Sequence, residues 1–144
     1  AIHTLNENTQ GSYDTIINKL CLCKILKEIT HFQHSAVENK LSPAIKYIRL
    51  HYREDTRVDK LASLCYLSKS QFYRLFKKQT GLTTVEYKNA LRIEFAIQMI
   101  EDGEYSLSEI GTSVGFDSIY YFSEIFKKIK GISPSEYKKQ FFNK

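Results

Sequence analysis

The fold is decided by two stretches of one pattern: residues 72–88 read FYRLFKKQTGLTTVEYK, and residues 122–138 read FSEIFKKIKGISPSEYK. Eight positions are identical at an offset of fifty residues, among them two phenylalanines, a Lys-Lys pair, a glycine and a closing Glu-Tyr-Lys. A chain that repeats one compact unit with a basic end favours a repeating partner. Duplex DNA is the obvious repeating polyanion.

The apolar spacing around this repeat predicts helices rather than strands, and we expect seven helices in residues 42–142. Ser42 is the expected N-cap of the first helix, and Asp117 or Ser118 caps the sixth. The expected fold is all-α, with two helix-turn-helix subdomains joined by a long connecting helix that ends near Asp102. Three helices in this fold are expected to begin with capping boxes, formed by Ser68 with Gln71, Thr83 with Glu86 and Ser133 with Glu136. Two helices are expected to end at Gly81 and Gly103.

The first part of the chain has a different pattern. Residues 13–32 predict one N-terminal helix that is apolar nearly all round and therefore needs a cover, and residues 33–40 are a polar linker. We expect residues 1–40 to be the end of a missing or truncated regulatory domain, with dimerisation through that domain or through residues 13–32. Residues 41–144 are then the double helix-turn-helix DNA-binding domain.

Charge is divided in the same way. Residues 1–40 hold four lysines and four acidic residues, whereas residues 41–144 hold 17 Lys/Arg against 12 Asp/Glu and carry the whole net charge of +5. An anionic partner is therefore expected for the basic part alone. No apolar run reaches the roughly 18 residues of a membrane span, and three cysteines without a secretory signal favour the cytoplasm.

Enzyme and metal chemistry find no support in the sequence. It has no Gly-rich phosphate loop, no nucleophile beside a base and no paired carboxylates, so we expect neither a catalytic site nor a cofactor. The closest approach to a metal site is Cys21 and Cys23 with His31 and His34. On one helix these two cysteines would point about 200° apart, so we predict no metal site.

Small side chains in each unit indicate a helix-turn-helix. Ala62 and Gly111 lie on the first helix of each pair, where they allow the second helix to pack closely. The offset between the units is 49 residues at these positions and 50 at Phe72 and Phe122, so the second turn is one residue longer.

The candidate DNA contacts are the residues left exposed when the buried stripes are subtracted. Arg74 is the best base contact, because its fork fits guanine O6 and N7, and Tyr73 could contact a phosphate or a thymine methyl. The lysine pairs would bind phosphates without reading sequence. The full set is Lys69, Ser70, Tyr73, Arg74, Lys77 and Lys78 on the first recognition helix, and Ile119, Tyr120, Ser123, Lys127 and Lys128 on the second.

Residues throughout both units and the connecting helix resemble those of a known family. The residues that match with the family's spacing are Ala62, Ser68, Phe72–Lys78, Gly81, Tyr87, Leu91–Ile93, Ala96, Ile110–Gly111, Val114–Asp117, Tyr121–Ser123, Phe126–Lys128, Gly131, Ser133–Pro134 and Tyr137. Residues 42–142 resemble the DNA-binding domain of the AraC/XylS family of bacterial transcription regulators. The resemblance implies sequence-specific promoter binding, transcriptional activation with RNA polymerase as a partner, and often a separate N-terminal ligand-binding and dimerisation domain. Two positions depart from the family: Gly111 replaces a usual Ala, and Glu124 replaces a common Arg.

Two further alternatives stay open. Arg92 could meet a phosphate or form a structural ion pair on the connecting helix. The chain as a whole could be a helical protein-interaction module whose basic face binds an acidic partner, and salt dependence would separate this from DNA binding. Because Glu124 opposes the phosphate backbone, we expect the first unit to dominate affinity.

Overall fold

A computed structural model describes residues 40–143, so the predicted helix over residues 13–32 and the linker to residue 39 lie outside the described residues. The described part is all-α, as predicted, and contains seven helices and no strand. In chain order they are α1 (Ser42–Leu50), α2 (Val58–Leu64), α3 (Lys69–Thr80), α4 (Thr84–Asp102), α5 (Leu107–Ser113), α6 (Ile119–Lys130) and α7 (Pro134–Phe142).

Most helix ends lie where the sequence predicts them. The capping boxes at Ser68, Thr83 and Ser133 are all present, and Ser118 rather than Asp117 caps α6. The prediction that Ser42 caps α1 is wrong. Leu41 is the N-cap, and its carbonyl accepts from the Ile45 N–H at 3.0 Å. Leu41 is fully buried, so packing of its side chain fixes where the helix begins.

A fourth capping box, formed by Ser106 and Glu109, begins α5. The capping residues hydrogen-bond the carboxylates of Glu86, Glu109 and Glu136, and this lowers the pKa of each. A negative charge in the first turn also complements the helix dipole. The short helices α5 and α7 are therefore fixed at their starts by local hydrogen bonds.

The repeat in sequence is a repeat in packing. In the first unit Phe72 and Phe76 are buried, and Tyr87 from α4 meets Phe76 edge-on with ring centres 5.5 Å apart. In the second unit Phe126 and Tyr137 make the same edge contact at 5.7 Å. These phenylalanines are core residues, as the i, i+4 spacing predicts.

The small residues have the predicted role. Ala62 is buried on α2, and a Cβ placed on Gly111 of α5 would lie 3.2 Å from the Phe122 ring of α6. The second helix of each pair thus packs closely on the first. The turn in the first unit is residues 65–68 and that in the second is residues 114–118, so the second is one residue longer, as predicted.

The two turns differ in backbone chemistry at equivalent positions. Gly115 has a φ of +100° in the second turn, whereas Tyr66 in the first has a φ of +55° and a side chain that is 95 % exposed. A left-handed conformation costs a non-glycine residue about 1 kcal/mol, and asparagine tolerates it better than tyrosine.

We therefore expect Tyr66→Asn to raise the free energy of unfolding by about 0.5–1 kcal/mol, measured by urea denaturation. The matched control is Tyr73→Asn, which makes the same change inside α3 and should lower stability by a few tenths of a kcal/mol, because asparagine is a poor helix former. A clear loss at Tyr66→Asn would show that the exposed ring contributes more than the strain costs.

Arg92 on α4 joins the two units. Its Nε donates to the Tyr52 carbonyl at 2.7 Å and its Nη2 to the Arg53 carbonyl at 3.3 Å, while its guanidinium lies 5.4 Å from the centre of the Phe116 ring. Burial lowers the pKa of Arg92, and Arg remains charged in proteins. Of the two alternatives the structural one holds, but the partners are carbonyls rather than a carboxylate. The carbonyls in the loop after α1 have no hydrogen-bond donors within a helix, and the N–H groups of Arg92 serve as their donors.

Gly115 completes this contact between the units. A Cβ on Gly115 would lie only 2.5 Å from the Arg53 carbonyl oxygen, so the second turn touches the loop after α1 directly. We call Tyr52, Arg53, Arg92, Gly115 and Phe116 the junction. It fixes the second unit against the first independently of the length of α4.

Candidate nucleic-acid interface

The exposed face of α3 lies opposite its buried phenylalanines. Lys69, Ser70, Tyr73, Arg74, Lys77 and Lys78 are all exposed, as the subtraction of the buried stripe predicts. Within residues 40–143, Arg74 forms no hydrogen bond and no ion pair. A guanidinium that protrudes from a short rigid helix without a partner presents its whole donor fork to a ligand.

Lys69 differs from Arg74 because it already has a partner. Its Nζ lies 2.7 Å from Asp59 Oδ1, with both side chains about half exposed. An exposed pair of this kind contributes at most about 1 kcal/mol. A phosphate can compete for Lys69, and the pair meanwhile ties the start of α3 to α2.

The face of α6 has a different composition. Tyr120 is 84 % exposed, Ile119 is 36 % exposed, and Glu124, Lys127 and Lys128 are exposed. Ser123, which was predicted on this face, is only partly exposed, because it borders the stripe that contains Phe122. The structure thus leaves ten of the eleven predicted contact residues exposed.

Sequence reasoning did not single out Tyr121 as a surface residue. It is 42 % exposed beside Tyr120, and its hydroxyl accepts from Asn89 Nδ2 at 3.2 Å. That bond attaches the start of α6 to the connecting helix α4. The available signal was the run of four large residues at the start of α6, Ile119 to Phe122, of which only the last belongs to the predicted apolar stripe.

Charges from both recognition helices act on the carboxylate of Glu86, near the start of α4. Hydrogen bonding from the Thr83 backbone is the largest cause of the lowered pKa of Glu86, and the charges of Lys77 and Lys128 lower it further. Lys77 lies in the last turn of α3 and Lys128 in the last turn of α6. The basic ends of both helices therefore contribute to the electrostatic environment of this carboxylate.

Two lysines of the repeat are structural. Lys88 Nζ donates to the Glu54 carbonyl at 3.2 Å and also pairs with Asp55, and Lys138 Nζ donates to the Tyr105 carbonyl at 3.2 Å. Each binds the loop that precedes its own helix-turn-helix. The repeated Glu-Tyr-Lys sequence is therefore part of the scaffold.

The described residues contain neither a metal-ligand group nor a membrane-spanning helix. No group of His, Cys, Asp and Glu in residues 40–143 is arranged to hold a metal ion, and Cys21, Cys23, His31 and His34 lie outside that range. Nor is any helix of the described part long and apolar enough to cross a membrane.

Comparison with known proteins identifies the same segment. A family model described as a helix-turn-helix domain matches residues 61–140. The MmsAB operon regulatory protein of Pseudomonas aeruginosa is 37% identical over 94 residues, which are 65% of this chain and 31% of that protein. The arabinose operon regulatory protein of Escherichia coli is 30% identical over 134 residues, which are 90% of this chain and 46% of that protein. The chain spans half or less of the length of the curated relatives it matches.

Solved structures show the same architecture. The DNA-binding domain of AdpA, described as a global transcriptional factor in complex with a target DNA, aligns with a TM-score of 0.67 and 25% identity, covering 74% of this chain and 96% of that one. A transcriptional regulator with an AraC-type DNA-binding domain from Chromobacterium violaceum aligns with a TM-score of 0.64 and 29% identity, covering 71% of this chain and 91% of that one.

These matches fall on the two units and the helix that joins them, and the proteins matched are regulators or DNA-binding domains rather than enzymes. The all-α architecture agrees with theirs. By its sequence and its fold, this chain belongs to the AraC/XylS family of helix-turn-helix transcription regulators.

Proposed function

We propose that residues 41–144 bind duplex DNA in a sequence-specific way, with α3 and α6 in successive segments of the major groove on one face of the duplex. The observation that carries this proposal is the pair of exposed helix faces, one in each unit, with the two units joined by the junction. A major groove about 12 Å wide accepts one α-helix.

The connecting helix carries both units. It contains 19 residues, which at about 1.5 Å each make a rod of about 28 Å, and α6 begins beside its first half at the hydrogen bond between Asn89 and Tyr121. Successive major-groove segments on one face lie about 34 Å apart, so the packing of the second unit at the junction must supply this spacing. One chain would then place two recognition helices on one duplex, an arrangement that simpler helix-turn-helix proteins reach by dimerisation.

Each contact has a proposed role. Arg74 reads guanine through its donor fork, and Tyr73 contacts a phosphate or a thymine methyl. Lys69 and Ser70 lie at the start of α3, where a recognition helix meets base edges. The lysine pairs at residues 77–78 and 127–128 bind phosphates and set the register. The second helix contributes Ile119, Tyr120 and Ser123.

The relatives are operon regulators, which supports a regulatory role for this chain in the cytoplasm. Activation through contact with RNA polymerase is the form of regulation that the family resemblance implies. Residues 1–40 would then be the end of a preceding regulatory domain, and dimerisation would use that domain or residues 13–32.

Salt dependence tests the proposal. Each phosphate contact contributes roughly −0.9 to the slope of the logarithm of the binding constant against the logarithm of the salt concentration. Four phosphate-binding lysines therefore predict a slope of about −3.5 or steeper. Lys78→Gln should reduce the slope by about 1 and weaken preferred and random duplexes equally. The control is Lys46→Gln. Lys46 lies beside Leu91 and Phe95 in the groove between α1 and α4, so this substitution should change neither the salt slope nor the affinity for either duplex.

The rival function predicts another result. A module for an acidic protein would bind random and preferred duplexes equally weakly, and no sequence would emerge from repeated selection. That outcome would refute the proposal that this chain reads DNA.

A further inference from the structure

The first halves of the two recognition helices carry net charges of opposite sign. The first seven residues of α3 contain Lys69 and Arg74 and no acidic residue, a charge of +2. The first seven residues of α6 contain Glu124 and no cation, a charge of −1. The lysines of α6 are all in its last turn, so a cationic reader of guanine is absent from the part of α6 that meets base edges.

What replaces the cations is exposed apolar surface. Ile119, Tyr120 and Tyr121 are 36 %, 84 % and 42 % exposed, and they are consecutive at the start of α6. Tyr121 is held in place by Asn89 and by an edge contact with Phe116, whose ring centre is 5.8 Å away. Ile119 and Tyr121 point about 200° apart on the helix, and Tyr120 lies between them, on the same face as Glu124. Tyr120 and its neighbour Ile119 therefore supply the exposed apolar groups at the end of the helix that is proposed to meet base edges.

The duplex offers one apolar group at the floor of the major groove, the C5 methyl of thymine. A carboxylate at the same depth can accept from the N4 amino group of cytosine. We propose that the α6 unit selects thymine through methyl contacts with Ile119 and Tyr120, and selects cytosine through Glu124. This inference rests on the proposed function and gives the two half-sites different chemistry, with guanine required only by the α3 half.

Deoxyuridine substitution tests the methyl contact directly, because it removes the methyl and leaves base pairing intact. The preferred duplex is selected from a random pool, and its α3 half is identified as the half in which Arg74→Ala relaxes the selected sequence. Replacing thymidine by deoxyuridine in the α6 half should weaken binding about three- to fivefold for each contacted methyl.

The assignment to named residues comes from variants. Tyr120→Ser and Ile119→Ser should each reduce the deoxyuridine effect, and the double variant should remove most of it, because the two side chains together supply the contact. The matched control is Tyr105→Ser, which removes a half-exposed tyrosine from the loop before α5, outside the proposed contact set, and should keep the full effect. Glu124→Gln should shift the selected base at one position of the α6 half from cytosine to adenine, since an amide pairs with adenine N6 and N7.

The outcomes separate this inference from the function beneath it. Specific duplex binding with no methyl dependence in the α6 half, or with methyl dependence that survives both serine variants, would overturn the inference and leave DNA binding intact. The inference would also be overturned, and DNA binding left intact, if the α6 half showed no preference for thymine while methyl dependence appeared only in the α3 half. No sequence-specific duplex binding by the unaltered chain would overturn both.

Discussion

Arg74→Ala is expected to weaken binding to the preferred duplex by about ten- to a hundredfold at fixed salt, because one bidentate contact with guanine contributes about 1–3 kcal/mol of discrimination. Arg74 is exposed on α3 and has no partner within residues 40–143. The substitution therefore leaves no group of the protein unpaired. A titration against preferred and random duplexes measures the effect, and the base preference at one position should disappear with it.

Three comparisons sharpen this result. Arg74→Lys keeps the charge but not the fork, so affinity for random duplex should recover while the base preference stays lost. Tyr120→Ala should lower affinity less than Arg74→Ala does, since the first unit dominates. Thermal unfolding should be unchanged in Arg74→Ala. Equal losses from Arg74→Ala and Tyr120→Ala would contradict the dominance of the first unit.

Gly115→Ala is expected to lower the free energy of unfolding by about 3 kcal/mol or more. Its backbone has a φ of +100°, and the added Cβ would lie 2.5 Å from the Arg53 carbonyl oxygen and 2.8 Å from Arg53 Cα. Both neighbours are backbone atoms, so relief requires the loop after α1 to move away from Arg92. Urea denaturation measures the loss.

Gly81→Ala is the matched control. Gly81 also has a positive φ, +75°, but nothing lies within 4 Å of a Cβ added there. It should cost only about 1 kcal/mol, from conformation alone. The difference between the two variants isolates the contact between the second turn and Arg53. Equal losses would mean that this contact is not tight in solution.

Much of the fold could be predicted because its signals are local. A capping box is two side chains three residues apart, and a C-terminal glycine marks a left-handed stop, so Ser68, Thr83, Gly81 and Gly103 located their helix ends from sequence alone. Leu41 shows the limit of this reasoning. Its position at the start of α1 follows from burial against distant residues, which a local pattern does not contain.

The junction could not be predicted for the same reason. Arg92 and Tyr52 are 40 residues apart, and the partners are backbone carbonyls, which leave no trace in the sequence. From sequence, a carboxylate is the expected structural partner of Arg92, because a sequence lists side chains and does not show which backbone carbonyls lack a donor. Lys88 and Lys138 are similar: the repeat shows that both matter, but only the structure shows that each binds a loop carbonyl.

The candidate interface was largely predictable, because a helix with a clear apolar stripe has only one face left. That subtraction does not show how the surface residues pair with one another. It could not show that Lys69 is held by Asp59 while Arg74 has no partner among the described residues. Nor could it show that the charges of Lys77 and Lys128 both lower the pKa of Glu86, since their positions relative to it depend on how the two units pack.

The central claim is that α3 and α6 of one chain read neighbouring turns of one duplex. Selection from a random duplex pool with the full 144-residue chain tests it most directly. We expect two different blocks of preferred bases with centres about 10–10.5 base pairs apart, and Arg74→Ala should erase only one of them. A single block, or two blocks that Arg74→Ala erases together, would contradict the claim.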